Sequence, residues 1–342
     1  MPFLSPKILC RRHGLTPNTN LGQHFLLHPD QARRLVAALD LTAADTVVEI
    51  GPGLGALTVF LAQAAGQVVA LEVDPRLLQV LRDDVLAGLA NVRLLAQDAL
   101  TFDYLGLSRS LGRPLAIIGN LPYQITSPLL FKLVHDKAAV GVVVLMMQRE
   151  VGQRLLASPG GKDYGILSVL WQYHFQSERL FILGPQNFYP APKVDSVVLR
   201  GRPQQPERPA HREEDFLRLV KAAFATRRKT LKNSLAAHLG RWGLSLPELL
   251  AILAELGLDP RRRPETLSVA DFVGLSNALP PLGPEGAAES AADGPSPGTA
   301  GPGPFAVDLP AHRAYKNQQP RLPVSGFWFP VSSFRFEVRG QR

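Results

Sequence analysis

Short apolar runs alternate with amphipathic stretches along the first two hundred residues. Residues 46–50, 67–72, 92–96, 115–118 and 140–147 are dense in Val, Leu, Ile and Ala, and each reads as a strand, together implying a sheet covered on both faces. Between them the apolar positions recur at helical spacing. Asp30 can cap a helix running to about Leu39, with Leu35, Val36 and Leu39 on one face; residues 54–65 read as a second helix, and Pro75 opens a third towards Ala87. Two further strands, 177–183 and 193–200, are joined by Asn187-Phe188-Tyr189-Pro190-Ala191-Pro192, which predicts a hairpin closing one edge. Strands alternating with helices require crossover connections, so the pattern predicts an α/β fold with a mostly parallel seven-stranded sheet.

Beyond residue 203 the strand signal stops. Residues 213–225, 229–238 and 247–255 are amphipathic, which predicts a small all-α C-terminal domain over 204–279. The remainder, 280–342, begins with a stretch rich in Pro, Gly, Ala and Ser and reads as a disordered tail. The expected organisation is an N-terminal arm over 1–29, an α/β domain over 30–203, the helical domain, and the tail.

Composition narrows the partners. Hydrophobic residues at 46% against 19% charged allow a real core, while a net charge of +8 favours a polyanion such as nucleic acid. Cys10 is the sole cysteine, so neither an intramolecular disulfide nor a cysteine metal site is available, which suits a reducing compartment; the eight histidines lack paired ligand spacing, and no metal is expected. No apolar stretch is long enough to span a membrane, and a secretory h-region is missing. Lys7, Arg11 and Arg12, with no acid before Asp30, fit either a transit segment or a basic arm touching RNA or substrate.

Four segments at strand ends carry candidate chemistry. In Glu49-Ile50-Gly51-Pro52-Gly53-Leu54-Gly55, Gly51 and Gly53 permit a tight turn and close backbone approach to a ligand. The spacing is not that of pyrophosphate-binding loops, and an acid precedes it; Glu49 would repel a phosphate but suits the cationic amino-acid end of S-adenosylmethionine. Glu72, ending the next strand, can accept from both ribose hydroxyls, and Asp98, ending the third, can accept from a cofactor adenine. Each alone could be a solvated strand end or a loop acid. Asn120-Leu121-Pro122-Tyr123 follows the fourth strand. Adenine N6 is a poor nucleophile because its lone pair is delocalised into the ring. An Asn oxygen and a nearby carbonyl that accept its two N–H bonds favour a pyramidal nitrogen and stabilise the charge developing on it. Pro122 stiffens the turn, and Tyr123 can stack on an extruded base.

Two more segments suit a nucleic acid. In Phe188-Tyr189-Pro190-Ala191-Pro192-Lys193-Val194-Asp195-Ser196, Phe188 can form a second wall around a base or simply pack beneath the loop, and Lys193 can meet phosphate. Arg227, Arg228, Lys229 and Lys232 cluster at a helix start, as a solvated basic face or as phosphate contacts.

Taken together with Leu21-Gly22-Gln23-His24-Phe25-Leu26, these motifs resemble, in order and over residues 10–278, the ribosomal RNA adenine N6,N6-dimethyltransferases, the bacterial small-subunit enzymes in particular. The resemblance implies a class I S-adenosylmethionine-dependent methyltransferase, Rossmann-like, acting in the cytoplasm during ribosome biogenesis. It implies two methyl transfers onto each of two adjacent adenosines near the 3′ end of small-subunit (16S) rRNA. It places the cofactor at His24, Leu26, Gly51, Gly53, Glu72, Asp98 and Asn120, and the target base at Asn120, Leu121, Pro122 and Tyr123 with Phe188 opposite. His24 stands where the family often has Asn, and still offers a hydrogen-bond donor; the tail has no counterpart in the family core. Removing the tail after Ala278 is expected to leave activity intact. Relatives that methylate large-subunit RNA, and family-derived nucleic-acid-binding factors with little catalysis, share the same fold and form the alternatives.

Overall fold

In the computed structural model, which describes residues 3–226 and 228–281, the apolar runs assemble into one seven-stranded sheet. The chain opens with α1 (Pro6–Arg12), β1 (Phe25–Leu26), α2 (Pro29–Ala37), β2 (Thr46–Ile50), α3 (Thr58–Ala64), β3 (Gln67–Glu72), α4 (Pro75–Val80) and β4 (Val92–Ala96). It continues through α5 (Tyr104–Leu111), β5 (Leu115–Asn120), α6 (Thr126–His135), β6 (Val140–Gln148), α7 (Arg149–Leu155), α8 (Ile166–His174), β7 (Phe175–Leu183), β8 (Phe188–Tyr189) and β9 (Ser196–Pro203). Five helices follow: α9 (Glu213–Phe224), α10 (Leu231–Ala236), α11 (Leu239–Trp242), α12 (Leu246–Glu255) and α13 (Val269–Ala278).

The strand order is β4-β3-β2-β5-β6-β9-β7, with β4 through β6 parallel and β9 antiparallel to both its neighbours. The expected edge hairpin is present, and β9 is its inner strand. Ser196 to Leu199 are all buried, whereas β7 is fully buried only at its two ends, as befits an edge strand. Along the central strands successive residues feed opposite faces: Val48, Ile117 and Val143 join one apolar cluster, and Val47, Ala116 and Val142 the other.

Several boundaries move from expectation for identifiable reasons. His28, not Asp30, occupies the N-cap of α2, because Pro29 takes the first helical position; Asp30 sits in the first turn and pairs with Arg33. α3 starts at Thr58 because Gly53 and Gly55, at φ +59° and +78°, cannot be helical. The helix expected to reach Ala87 ends at Val80 and gives way to a π-helical turn, Leu81–Val85, packed so closely under the glycine loop that a Cβ on Gly55 would lie 2.6 Å from Val85 Cγ1. Residues 6–12 of the expected arm form α1, with Leu9 and Cys10 buried in a cluster shared with Leu54 and Leu77.

The C-terminal helices share the core of the sheet: Trp171 and Tyr173 of α8 belong to one continuous cluster with Phe216 of α9 and Phe272 of α13. α13 was not expected. It ends the described core, and Leu279, just after it, is only 7% exposed. The truncation point therefore shifts. A chain ending at Pro281 is expected to keep its thermal unfolding midpoint and its methyl transfer. One ending at Ala278 is expected to lose about 2 kcal/mol of stability in a denaturant titration, through the lost burial of Leu279. The tail from residue 282 onward, and Arg227, lie outside the described residues.

Candidate active site

The order of the sheet reverses between β2 and β5, which lie side by side with Ile50 opposite Gly119. Open α/β sheets bind ligands in the crevice beyond the carboxyl ends of strands at such a switch point. The glycine loop leaves β2 there and Asn120 ends β5, so the topology brings the first and fourth sequence motifs together. Glu72 and Asp98 follow at the ends of β3 and just past β4.

Glu49 is 1% exposed, and its Oε2 finds no hydrogen-bond partner among the described residues. Burial, opposed by the Thr58 hydroxyl and reinforced by the Glu72 carboxylate, pushes its pKa up to about 8. Glu72 is also buried, and its carboxylate is held by three backbone N–H donors: Val73 at 2.9 Å, Asp74 at 3.0 Å and Gly53 at 3.2 Å. Burial raises its pKa against the pull of those bonds. It therefore braces the glycine loop as well as ending β3, a role its position in the sequence did not reveal. Asp98 accepts from Leu100 N–H through Oδ1 at 2.9 Å, as a turn acid does.

These residues fit the cofactor expected from the sequence. Gly51 has φ +66° with open space where a Cβ would project, leaving its backbone accessible. The unpaired buried carboxyl oxygen of Glu49 has the chemistry to take an ammonium group, and Glu72 ends β3 while Asp98 lies just past β4. Among the described residues no cluster of His, Cys, Asp or Glu could hold a metal ion, and no helix is long and apolar enough to cross a membrane.

Asn120 is oriented by its neighbour in space. Its Nδ2 donates to the His24 carbonyl at 2.7 Å, which fixes the amide and leaves Oδ1 as an acceptor. The Pro122 carbonyl already receives Ile125 N–H at 3.2 Å and the Thr126 hydroxyl at 2.9 Å, while Leu121 N–H is bound to Met146 O at 2.8 Å. The Tyr123 ring lies 5.7 Å from that of His24, and burial raises the pKa of its hydroxyl against the pull of Ser196. The His24 ring places Nδ1 2.7 Å from the Pro190 carbonyl.

β1 and β8 form a separate two-stranded sheet, Phe25 opposite Tyr189 and Leu26 opposite Phe188, which joins the N-terminal motif to the proline-rich loop. Leu26 and Phe188 sit in the same apolar cluster, Phe188 at 3% exposure, so a base reaching Phe188 must displace that packing, and Leu26 has only its backbone to offer a cofactor. Lys193, Arg228 and Lys229 are exposed, and Lys232 is half-buried. Thr230 caps α10, which leaves Arg228 and Lys229 in the preceding turn.

Comparison with known proteins agrees with this arrangement. The family described as ribosomal RNA adenine dimethylase matches residues 14–273. Ribosomal RNA small subunit methyltransferase A of Myxococcus xanthus is 42% identical over 284 residues, covering 82% of this chain and 97% of the relative. The protein of that name from Moorella thermoacetica is 43% identical, covering 79% and 95%. Among solved structures, a dimethyladenosine transferase from Plasmodium falciparum superposes with a TM-score of 0.63 at 25% identity, covering 74% of this chain and 96% of its own. The 23S rRNA methyltransferase ErmE does so at 0.57 and 26%, covering 75% and 99%. The parallel sheet with its switch-point crevice is the fold of S-adenosylmethionine-dependent rRNA methyltransferases, and the chain belongs to the ribosomal RNA adenine dimethylase family.

Proposed function

We propose that this protein dimethylates N6 of two adjacent adenosines near the 3′ end of small-subunit (16S) rRNA, in the cytoplasm during ribosome biogenesis. The observation that carries the reading is the fixed Asn120 amide at the end of β5, beside the glycine loop of β2. S-adenosylmethionine, when bound, supplies a methyl group made electrophilic by its sulfonium. Glu49 and Gly51 would hold its amino-acid end, Glu72 its ribose and Asp98 its adenine, with His24, Leu26 and Gly53 closing around it.

The residues of this chain then act on the target base. Asn120 Oδ1 accepts one N6 hydrogen. The Leu121 carbonyl accepts the other, since the Pro122 carbonyl is taken. Both acceptors stabilise the positive charge that develops on N6 as the methyl arrives. Tyr123 stacks on the base, and Pro122 stiffens the turn that presents both acceptors. The methylated ammonium is acidic enough to give its proton to water, so no strong base is required. Names of the relatives favour the small subunit over the large-subunit alternative.

The test is nucleoside analysis of small-subunit RNA after incubation of immature subunits with the purified protein and labelled S-adenosylmethionine. N6,N6-dimethyladenosine as the final product is expected; a product that stops at one methyl per adenosine would contradict the dimethylation.

Lys193, Arg227, Arg228, Lys229 and Lys232 would meet RNA phosphates. Replacing Arg228, Lys229 and Lys232 together by Gln is expected to weaken RNA binding and to make its dependence on log salt concentration shallower by about two. An unchanged slope in a filter-binding salt series would mark these cations as merely solvated.

A further inference from the structure

Residues 22–26 cross the carboxyl ends of the sheet as a strap, and successive residues are tied to different elements. Gly22, at φ +69°, lies so close to the loop after β5 that a Cβ on it would come within 3.1 Å of Pro122 Cβ. His24 holds the Asn120 amide with its carbonyl and the Pro190 carbonyl with its ring. The Phe25 ring lies 3.0 Å from where a Cβ on Gly53 would be. Gln23 ties the strap to the turn after β3: its Nε2 donates to Asp74 Oδ2 at 2.7 Å, and its Oε1 accepts Asn18 N–H at 2.7 Å.

Asp74 is not a simple helix cap. It is 4% exposed, and its two oxygens receive four bonds. Oδ1 accepts from Arg76 N and Nε, both at 3.0 Å; Oδ2 accepts from Arg76 Nη2 at 2.6 Å and from Gln23. Burial works to raise its pKa, but the Arg76 and Gln23 bonds together outweigh it and hold the carboxyl below the usual range. Its own N–H donates to Glu72 Oε1 at 3.0 Å. One buried carboxylate thus links Glu72, on the ribose side of the crevice, to the residue before His24, which orients Asn120.

We propose that Gln23 and Asp74 form a positioning pair that seats the strap over the cofactor subsite, so that cofactor affinity depends on it more than the methyl-transfer step does. This rests on the S-adenosylmethionine-dependent reading of the site. The pair lies on the β3 side of the strap, whereas the His24–Asn120 bond that presents the acceptor is made separately. Loss of the pair therefore loosens the cofactor wall first.

Two substitutions at Gln23 test it in the full chain. Gln23→Glu sets a second carboxylate against Asp74 and removes the donor. Calorimetric titration with S-adenosylhomocysteine is expected to show Gln23→Glu weakening binding at least about tenfold, with the KM for S-adenosylmethionine rising in parallel and kcat falling less than about threefold. Gln23→Ala, with an unfolding midpoint near that of the parent, should show the same loss and guards against misfolding of the charged variant. The proposal is overturned if both variants bind like the parent, or if the loss falls on kcat alone. A parent chain that binds no S-adenosylhomocysteine overturns the cofactor reading and the pair with it; a binding parent with indifferent variants overturns the pair alone.

Discussion

Asn120→Ala is expected to lose about a hundredfold to a thousandfold in methyl transfer while weakening cofactor binding only severalfold. The side chain lies at the end of β5 with Nδ2 bonded to the His24 carbonyl, so the amide's orientation is fixed before substrate arrives. An acceptor that needs no reorganisation stabilises the charge building on N6 more in the transition state than in the ground state, and so acts on kcat. The alanine variant removes that acceptor and leaves Glu49, Glu72 and Asp98 in place. Single-turnover transfer at saturating S-adenosylmethionine, with binding of S-adenosylhomocysteine measured alongside, separates the two effects. A near-normal rate would remove Asn120 from the chemistry, and an equal loss in both measurements would make it a cofactor residue only.

Glu49→Gln is expected to make the ligand-free protein more stable and a much weaker cofactor binder. A carboxyl whose folded pKa is raised binds its proton more tightly folded than unfolded. Its neighbourhood therefore costs nothing below the unfolded pKa of about 4.5, and stability is lost steadily as pH rises from there to about 8. By pH 8 the loss is on the order of a few kcal/mol. Gln cannot ionise, so the difference in unfolding free energy between variant and parent should grow from pH 5 to pH 8 in favour of the variant. On the proposed reading, the ammonium of the cofactor would give that charge a partner at the unpaired oxygen. The expected loss of S-adenosylhomocysteine affinity is at least about tenfold at pH 8. A stability difference that stays flat with pH would show that Glu49 is not held in its neutral form, and unchanged affinity would remove it from the cofactor site.

What could be read from the amino-acid sequence depended on how local its physical cause is. The parallel strands were legible because a strand covered on both faces must be apolar throughout, as in Val140–Gln148, and because chemistry-bearing residues ended four of them. α8 was not: Ile166–His174 is buried on nearly every side and runs directly into β7, so no helical stripe or turn signal marks it. α13 did carry a signal, the Ser268 and Asp271 capping box, that would have placed it. Within the proposed site, Glu49, Gly51, Glu72, Asp98 and Asn120 were singled out by their place at or just after strand ends. The Gln23–Asp74 bond spans fifty-one positions, and neither residue stands out: Asp74 reads as the cap before Pro75. Phe188 was balanced between wall and core on pattern, and its register opposite Leu26 buries its ring in the same cluster, a packing its sequence neighbours do not reveal.

Transfer of labelled methyl from S-adenosylmethionine, offered immature small subunits and large-subunit RNA side by side, tests the central claim most directly. The expected result is label in small-subunit RNA alone, recovered as N6,N6-dimethyladenosine at adjacent positions near its 3′ end. Label confined to large-subunit RNA, or none in either while S-adenosylhomocysteine still binds, would contradict it.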